Sequence, residues 1–217
     1  IRIIGRRWQG TKAKPAKKAQ EYVNEEGAII VPFAEVAPKL TLWRAPTDND
    51  LIGHIAEKWS SWGLRDLHRA SSTINRRGSV TKIAHTWKTS TGISSKHIQT
   101  VEAVESGLRI TDEVALPKQL DDVARVGINF ELNGGLDQFS YFGPGPSETV
   151  PDRKIGKVHR WNSTVADQYV PYIKPQENGG HVGVRWFTLT NNTNRGLYFQ
   201  IDKPLMVTVT PIRSVDL

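Results

Sequence analysis

The sequence predicts an all-β protein, built as one large antiparallel β-sandwich. About ten short segments alternate apolar and polar residues with the period of two that half-buried strands require. Turn-forming residues separate several of these segments at intervals of about 12 residues, and only residues 54–69 show helical spacing. A chain of 217 residues with 38% hydrophobic and 24% charged residues has the composition of a soluble domain that can bury a core.

The first predicted elements are two short strands and one helical region. Residues 28–31 and 40–43 are apolar runs of strand length. Between residues 54 and 69, Ile55, Trp59 and Trp62 recur at intervals that place them on one face of a helix. Gly63 is expected to break this region into two short pieces.

The rest of the chain predicts a β-meander followed by further hairpins. Turns are expected at Thr91-Gly92 and Ser106-Gly107, and Asn133-Gly134-Gly135 is expected to close a hairpin. The predicted strands are residues 83–87, 95–102, 108–114, 126–132, 138–142, 182–189, 197–202 and 206–210.

The net charge of +7 is concentrated at the N-terminus. The first 20 residues hold no acid, and removing their seven basic residues leaves 22 basic against 22 acidic residues. These basic residues are Arg2, Arg6, Arg7, Lys12, Lys14, Lys17 and Lys18. A nucleic-acid tail is one interpretation. We favour a linker or a remnant of a preceding segment over residues 1–26, because no basic face continues beyond it.

Composition also restricts the cellular location of the protein and the kinds of site it can contain. The chain has no cysteine, so neither a disulfide framework nor a cysteine zinc site can form. We find no apolar signal-peptide core and no run approaching the ~20 residues of a membrane helix. We therefore expect a cytoplasmic protein that contacts neither membrane nor nucleic acid.

The first of three polar segments, the first motif, is Arg44-Ala45-Pro46-Thr47-Asp48-Asn49-Asp50. Pro46 stiffens the exit from the preceding strand, and the Asp and Asn side chains can bond local amides in a structured loop. Three roles fit: a structural or interface loop, which we favour, a direct sugar contact, or a metal site. The acid spacing, Gly and Glu of an EF-hand are missing. The site candidates are Arg44, Asp48, Asn49 and Asp50.

The second motif begins at Tyr141-Phe142-Gly143-Pro144-Gly145-Pro146 and runs to Pro151-Asp152-Arg153. Its prolines lack N–H donors, so we expect a fixed bend that ends the preceding strand. The bend delivers the candidates Glu148, Asp152 and Arg153 to one end of the sheet. Two carboxyls about 5 Å or about 6.5–9.5 Å apart could serve a glycosidase. They could equally cap turns or pair with basic neighbours, so we assign no catalytic residue.

The third motif is Pro175-Gln176-Glu177-Asn178-Gly179, whose polar side chains are of the kind that read sugar hydroxyls. Its candidates are Gln176, Glu177 and Asn178. Aromatic stacking faces could come from Trp43, Trp59, Trp161, Trp186 and Tyr172, although tryptophans in a sandwich more often belong to the core. The six histidines show neither HxH nor HExxH spacing, so we assign no metal ligand.

Together, in this order, the three motifs resemble the C-terminal small-chain domain of the family-2 glycoside hydrolases, the β-galactosidases. The first motif and the run Pro171–Gly179, followed by Val184-Arg185-Trp186, are close to the family pattern. The second motif departs from it at Ser147, Thr149 and Val150. The resemblance covers residues 27–217.

The resemblance implies a supersandwich similar to galactose mutarotases that follows a catalytic (β/α)8 barrel. That barrel carries the two glutamates of retaining β-galactoside hydrolysis, with lactose among the substrates. The small-chain domain is expected to pack on the barrel, in the same or a separate chain, to complete the active-site rim and to join a homo-oligomer. No cofactor is expected in this chain, and any divalent-cation requirement is expected to belong to the parent enzyme.

These implications predict an accessory domain at residues 27–217 that is inactive alone. A late, aromatic-bearing segment expected from the family is not found before Leu217, which predicts a domain truncated at its C-terminal end. Two alternatives are a free-standing carbohydrate-binding module and a mutarotase-like enzyme. The mutarotase-like reading would pair His159 or His181 with Glu148 or Glu177.

Overall fold

A nine-stranded antiparallel sheet dominates the fold, with strand order β3-β4-β5-β6-β1-β11-β10-β8-β9. The computed structural model describes residues 2–7, 19–34, 36–104 and 107–217. A second, two-stranded sheet pairs β2 with β7. The chain is therefore an all-β protein of antiparallel sheets, as the alternating pattern predicted.

The strands alternate with short connections and a few short helices. The strands are β1 (Arg2–Arg7), β2 (Lys39–Thr41), β3 (His68–Arg77), β4 (Val80–Lys88), β5 (Ser94–Val104), β6 (Gly107–Ala115), β7 (Gly127–Asn129), β8 (Gln138–Gly145), β9 (Lys157–Thr164), β10 (Gly180–Thr190) and β11 (Arg195–Thr208). The α-helices are α1 (Asp48–Ile52) and α2 (Ile55–Ser61), and the 3-10 helices are Ala19–Tyr22, Leu64–Asp66, Ala166–Gln168 and Ser214–Asp216.

The central meander β4-β5-β6 forms where alternation is strongest. In β4, Thr81, Ile83, His85 and Trp87 are buried while the residues between them are not. The register pairs β4 with β5 from Val80 and Glu102 to Lys88 and Ser94. One face of this sheet therefore carries the core and the other faces solvent.

Three apolar clusters line the inner face of the large sheet. In the first, Val23, Ile29 and Val31 from the N-terminal segment cover Ile83 and Phe199. The second joins β2 and α2 to Trp87. The third packs Phe139, Tyr141 and Val184 beside the second motif. The N-terminal segment, the β2–β7 sheet and α2 thus form the second layer of the sandwich.

The hairpin predicted around Asn133-Gly134-Gly135 is wrong. The strand predicted at 126–132 is reduced to β7, which pairs with β2, while β8 pairs with β9 and β10. The two segments therefore belong to different sheets, and the turn residues mark a crossing between layers rather than a hairpin.

Several strand boundaries also differ from the prediction. Residues 28–31 form an isolated bridge between Ile29 and Val23 instead of a strand. The two strands predicted at 197–202 and 206–210 form one strand, β11. The pairing of β11 with β10 shifts register near Val184. This irregularity lets the polar residues between the two predicted segments lie within one continuous strand.

The helical region was predicted in the right place but begins earlier. Gly63 adopts a φ of 67° and follows α2, as its expected role as a helix breaker requires. However, α1 starts at Asp48, inside the segment expected to be a loop, because Asp50 accepts the Thr47 backbone N–H at 2.6 Å. Within the described residues, no helix is long and apolar enough to cross a membrane.

Three strands were not predicted: β1, β3 and β9. The first lies between β6 and β11, inside the segment interpreted as a linker or remnant. The buried Ala19 and Val23 also precede residue 27. The start of the domain stays a prediction, and the basic stretch Lys12–Lys18 lies outside the described residues.

We expect Phe199→Ala to destabilise the fold by about 3–5 kcal/mol, the usual cost of a Phe-to-Ala cavity. Phe199 is 2% exposed and stacks on Phe187 with ring centres 4.3 Å apart. Urea unfolding of both proteins measures the difference. The control Val158→Ala, at a half-exposed position, should change stability by less than about 0.5 kcal/mol. Equal losses in the two variants would contradict this packing.

Candidate functional site

The three motifs meet at one large open cleft of about 1510 Å³, here called the motif cleft. It lies between the 124–137 connection and the end of β11. Of the ten predicted site residues, nine line this cleft: Arg44, Asp48, Asn49, Asp50, Glu148, Asp152, Arg153, Gln176 and Glu177. Asn178 lies behind it, 7% exposed.

The first motif is held by an ion pair between Arg44 and Asp50. The guanidinium donates two hydrogen bonds to the carboxylate, at 2.6 and 2.9 Å. It also lies over the Trp59 ring, 5.0 Å from its centre. Burial alone would raise the pKa of Asp50, but the hydrogen bonds from Arg44 and Thr47 hold it below its ordinary value. These two residues stabilise the motif itself.

The second motif continues β8 rather than ending it. Gly143, Pro144 and Gly145 pair with His159, Val158 and Lys157 of β9. The predicted bend therefore falls later. The pairing of β8 with β10 stops at Phe142. Pro144, which has no N–H to donate, therefore has no hydrogen-bonded partner strand on the β10 side.

Packing explains the glycine at position 145. A Cβ there would clash with the Tyr141 hydroxyl and lie 2.8 Å from the Trp161 ring. Burial raises the pKa of Tyr141 to about 12, and its hydroxyl donates to the Pro146 carbonyl at 3.3 Å. The end of β8 is thus packed against Tyr141 of the same motif and against Trp161 of β9.

Glu148 joins the second motif to the third. Its carboxylate accepts hydrogen bonds from Arg153 at 2.8 Å, from the Tyr172 hydroxyl, and from the Gly179 backbone N–H at 2.9 Å. The side chain is only 9% exposed. The hydrogen bond to Glu148 raises the pKa of Tyr172, and those with Tyr172 and Glu148 raise that of Arg153. With three donors around it, Glu148 serves as a structural acceptor.

Gln176 and Glu177 tie the third motif to distant segments, while Asn178 makes local hydrogen bonds. Gln176 accepts the Asp48 backbone N–H at 3.1 Å, which links it to the first motif. Glu177 pairs with Arg125 and accepts the Ser214 hydroxyl at 3.2 Å. Asn178 accepts the Val170 N–H at 3.0 Å and donates to the Gln176 carbonyl at 2.8 Å.

Sequence reasoning missed Arg125 and Ser214. They lie 52 and 37 residues from Glu177, and neither belongs to a motif. No local pattern marks them, because their role arises only from the way the connections cross.

Three candidate side chains remain open to a partner. Asp48, Asn49 and Asp152 are exposed, and their side chains make no hydrogen bond to the described part of the chain. The structure therefore divides the predicted site into an internal framework and an outward-facing polar set.

Each of the three motif regions has a strongly exposed isoleucine close to it in sequence. Ile173 follows Tyr172 and is 103% exposed, Ile155 follows Arg153 by two residues and is 91% exposed, and Ile52 in α1 is 78% exposed. We call these three residues the aliphatic rim.

The candidates His181, His159 and Trp161 make contacts within the chain, whereas Trp43 and Tyr172 line the motif cleft. His181 is buried and bonds to the Gln168 amide at 2.7 Å, while the exposed His159 contacts the Arg160 carbonyl at 2.7 Å. Neither hydrogen-bonds to Glu148 or Glu177 among the described residues. Trp161 donates to the Gly143 carbonyl at 3.1 Å. The described residues contain no group of three or more His, Asp or Glu side chains arranged for a metal.

The three family-like motifs thus meet at one cleft on an all-β scaffold. The sequence profile of the β-galactosidase small chain matches residues 14–217. The chain belongs to the β-galactosidase small-chain family.

Known β-galactosidases are similar to the chain over most of its length. That of Priestia megaterium is 29% identical over 157 residues, covering 71% of this chain and 15% of the relative. Beta-galactosidase BgaC of Bifidobacterium adolescentis is 27% identical over 227 residues, covering 97% and 21%. That of Pectobacterium atrosepticum is 30% identical over 174 residues, covering 71% and 17%. The chain thus spans about a fifth of these relatives or less.

We expect Glu148→Ala to loosen the third motif. The Gly179 N–H loses its acceptor, and the Tyr172 hydroxyl and Arg153 lose theirs. Amide hydrogen exchange should then become at least tenfold faster at Gly179. Asp152→Ala, which removes an exposed carboxylate from the same motif, should leave that rate unchanged. An unchanged Gly179 rate in Glu148→Ala would show that the carboxylate does not hold the loop.

Acid should destabilise the chain through His181 and His85. Burial lowers the pKa of both imidazoles below the ordinary value of 6.5. The unfolded chain therefore binds protons first, and stability present above pH 6.5 is lost as the pH falls toward the folded pKa values. Each such histidine contributes at most about 1.4 kcal/mol per pH unit.

Denaturant unfolding between pH 7.5 and 5.0 measures this loss. His181→Phe should be less stable at pH 7.5, since the Gln168 amide loses its partner, but its stability should fall less steeply with acid. The matched change His159→Phe, at an exposed site, should keep the wild-type slope. A His181→Phe slope as steep as wild type would rule out this origin.

Proposed function

We propose that this chain is an accessory domain of a retaining β-galactosidase, which packs on the catalytic barrel and completes the rim of its active site. The catalytic acid/base and nucleophile belong to the barrel in this proposal. Terminal β-D-galactosides such as lactose are the substrates of the assembled enzyme, which works in the cytoplasm as a homo-oligomer.

The observation that carries the proposal is the construction of the motif cleft. Charged residues of the family motifs pair with one another, Arg44 with Asp50 and Glu148 with Arg153. This cross-linking makes the loops rigid without leaving a free acid/base pair. A rigid edge with an aliphatic rim suits docking, which loses less entropy when loops are already ordered.

The outward-facing polar side chains supply hydrogen-bonding groups, which the aliphatic rim lacks. Asp48, Asn49 and Asp152 line the motif cleft and can accept hydrogen bonds from a partner surface or from substrate hydroxyls. Protein interfaces commonly combine apolar contacts with direct hydrogen bonds, and these two sets of side chains offer both. The same side chains are the candidates for the active-site rim.

A chimera tests the proposal. The segment of the Priestia megaterium enzyme that aligns with this chain is exchanged for it, and hydrolysis of nitrophenyl β-galactoside is measured. We expect the chimera to be active and the chain alone to be inactive. Ile155→Asp with Ile173→Asp should lower chimera activity at least tenfold, because charged side chains at the rim oppose docking.

The control for this test is Ile30→Asp, an exposed isoleucine outside the motif cleft, which should leave the activity within about twofold. Galactoside hydrolysis by the chain alone would overturn the proposal. So would a chimera whose activity is equally insensitive to the rim and control changes.

A further inference from the structure

A row of polar side chains crosses the inner face of the large sheet from β3 to β6, away from the motif cleft. Ser72 Oγ lies 2.8 Å from His85 Nδ1, and His85 Nε2 lies 3.0 Å from Gln99 Oε1. Gln99 Nε2 and His97 Nε2 both reach Asp112 Oδ1, at 2.8 and 2.9 Å. His85, His97 and Gln99 are at most 3% exposed, so this row is part of the core.

The carboxylate of Asp112 fixes the direction of every bond in the row. An ionised carboxylate only accepts, so Gln99 must donate to it through its NH2 group and present its oxygen to His85. His85 therefore carries its proton on Nε2 and accepts from the Ser72 hydroxyl at Nδ1. By the same rule His97 donates through Nε2, and in the neutral imidazole its Nδ1 is left as an acceptor.

Three polar atoms beside this row have no hydrogen-bond partner within the described parts of the chain: His97 Nδ1, Trp87 Nε1 and Ser95 Oγ. Trp87 and Ser95 are directly paired across β4 and β5, and Ser95 precedes His97 by two residues on the same face. The Trp87 and His97 ring centres lie 6.4 Å apart. These residues are 4%, 1% and 1% exposed, so bulk water does not reach them.

The donor and acceptor inventory of these three groups restricts what can satisfy them. The indole N–H only donates, and His97 Nδ1 only accepts in the tautomer fixed by Asp112. A single group that serves both must accept one hydrogen bond and donate another. A metal ion could bind the imidazole nitrogen but not the indole N–H. Buried polar atoms are rarely left unpaired, and an internal water typically has about three such partners.

We propose that Trp87, Ser95 and His97 form a binding site for one internal water molecule, which accepts from the indole N–H and donates to His97 Nδ1. The Ser95 hydroxyl is its third partner. The site belongs to the scaffold, because Trp87 packs in the same cluster as Leu42 and Trp59, next to the first motif. The water thereby completes the polar row that joins four strands of the sheet.

The direct test is a crystal structure of the full chain at a resolution that shows ordered water. We expect a density peak within hydrogen-bonding distance of Trp87 Nε1 and His97 Nδ1. A protein group bonded to these two atoms, or a well-ordered site without density, would overturn the proposal.

The sign of a stability change provides an independent test in solution. If water bridges the site, Ser95→Ala removes one of its partners and lowers the denaturation midpoint. If the site is dry, Ser95→Ala removes an unpaired buried hydroxyl and raises the midpoint. Ser94→Ala, at the exposed neighbouring position, is the matched control for strand propensity. A rise above that control contradicts the proposal.

Nitrogen NMR of the histidines tests the tautomer and requires no substitution. We expect His97 to be protonated at Nε2, with Nδ1 shifted as a hydrogen-bonded acceptor. A neutral His97 protonated at Nδ1, or a Nδ1 with the shift of an unbonded nitrogen, would overturn the proposal.

Discussion

The carboxylate of Glu148 is the contact on which the motif cleft depends. Its oxygens bind Arg153, Tyr172 and the backbone N–H of Gly179, so one nearly buried charge fixes two loops that lie 24 to 31 residues apart. Burying a carboxylate is costly unless several donors surround it. The loops are therefore held together because separating them would remove the Tyr172 and Gly179 donors and leave this carboxylate with Arg153 alone.

The sheet makes that arrangement possible. Tyr141 and Val184 place β8 and β10 side by side, and Phe187 stacked on Phe199 fixes β10 against β11. The second motif leaves β8 and the third motif enters β10, so both loops start from adjacent, well-packed strands. The candidate site residues are thereby located on loops carried by packed strands, a common division of roles in proteins.

The sequence predicted those elements that a local pattern of residues determines. Alternation specified β4, β5 and β6, and nine of the ten candidate residues chosen from the motifs line one cleft. It missed β3, whose residues 68–77 contain one large aliphatic, Ile74, because an edge strand needs few apolar side chains. It also joined β7 to β8, since turn residues do not reveal which sheet a strand enters. The partners Arg125 and Ser214 depend on the crossing of distant connections, which no local spacing records.

The central claim is that the motif cleft and its aliphatic rim are covered by the rest of the enzyme. Amide hydrogen exchange of this chain, alone and within the chimeric β-galactosidase, tests it most directly. We predict added protection at residues 48–53, 150–156 and 172–177, with little change on strands β3 to β5. Added protection confined to β3 to β5, with the motif loops unchanged, would contradict the account.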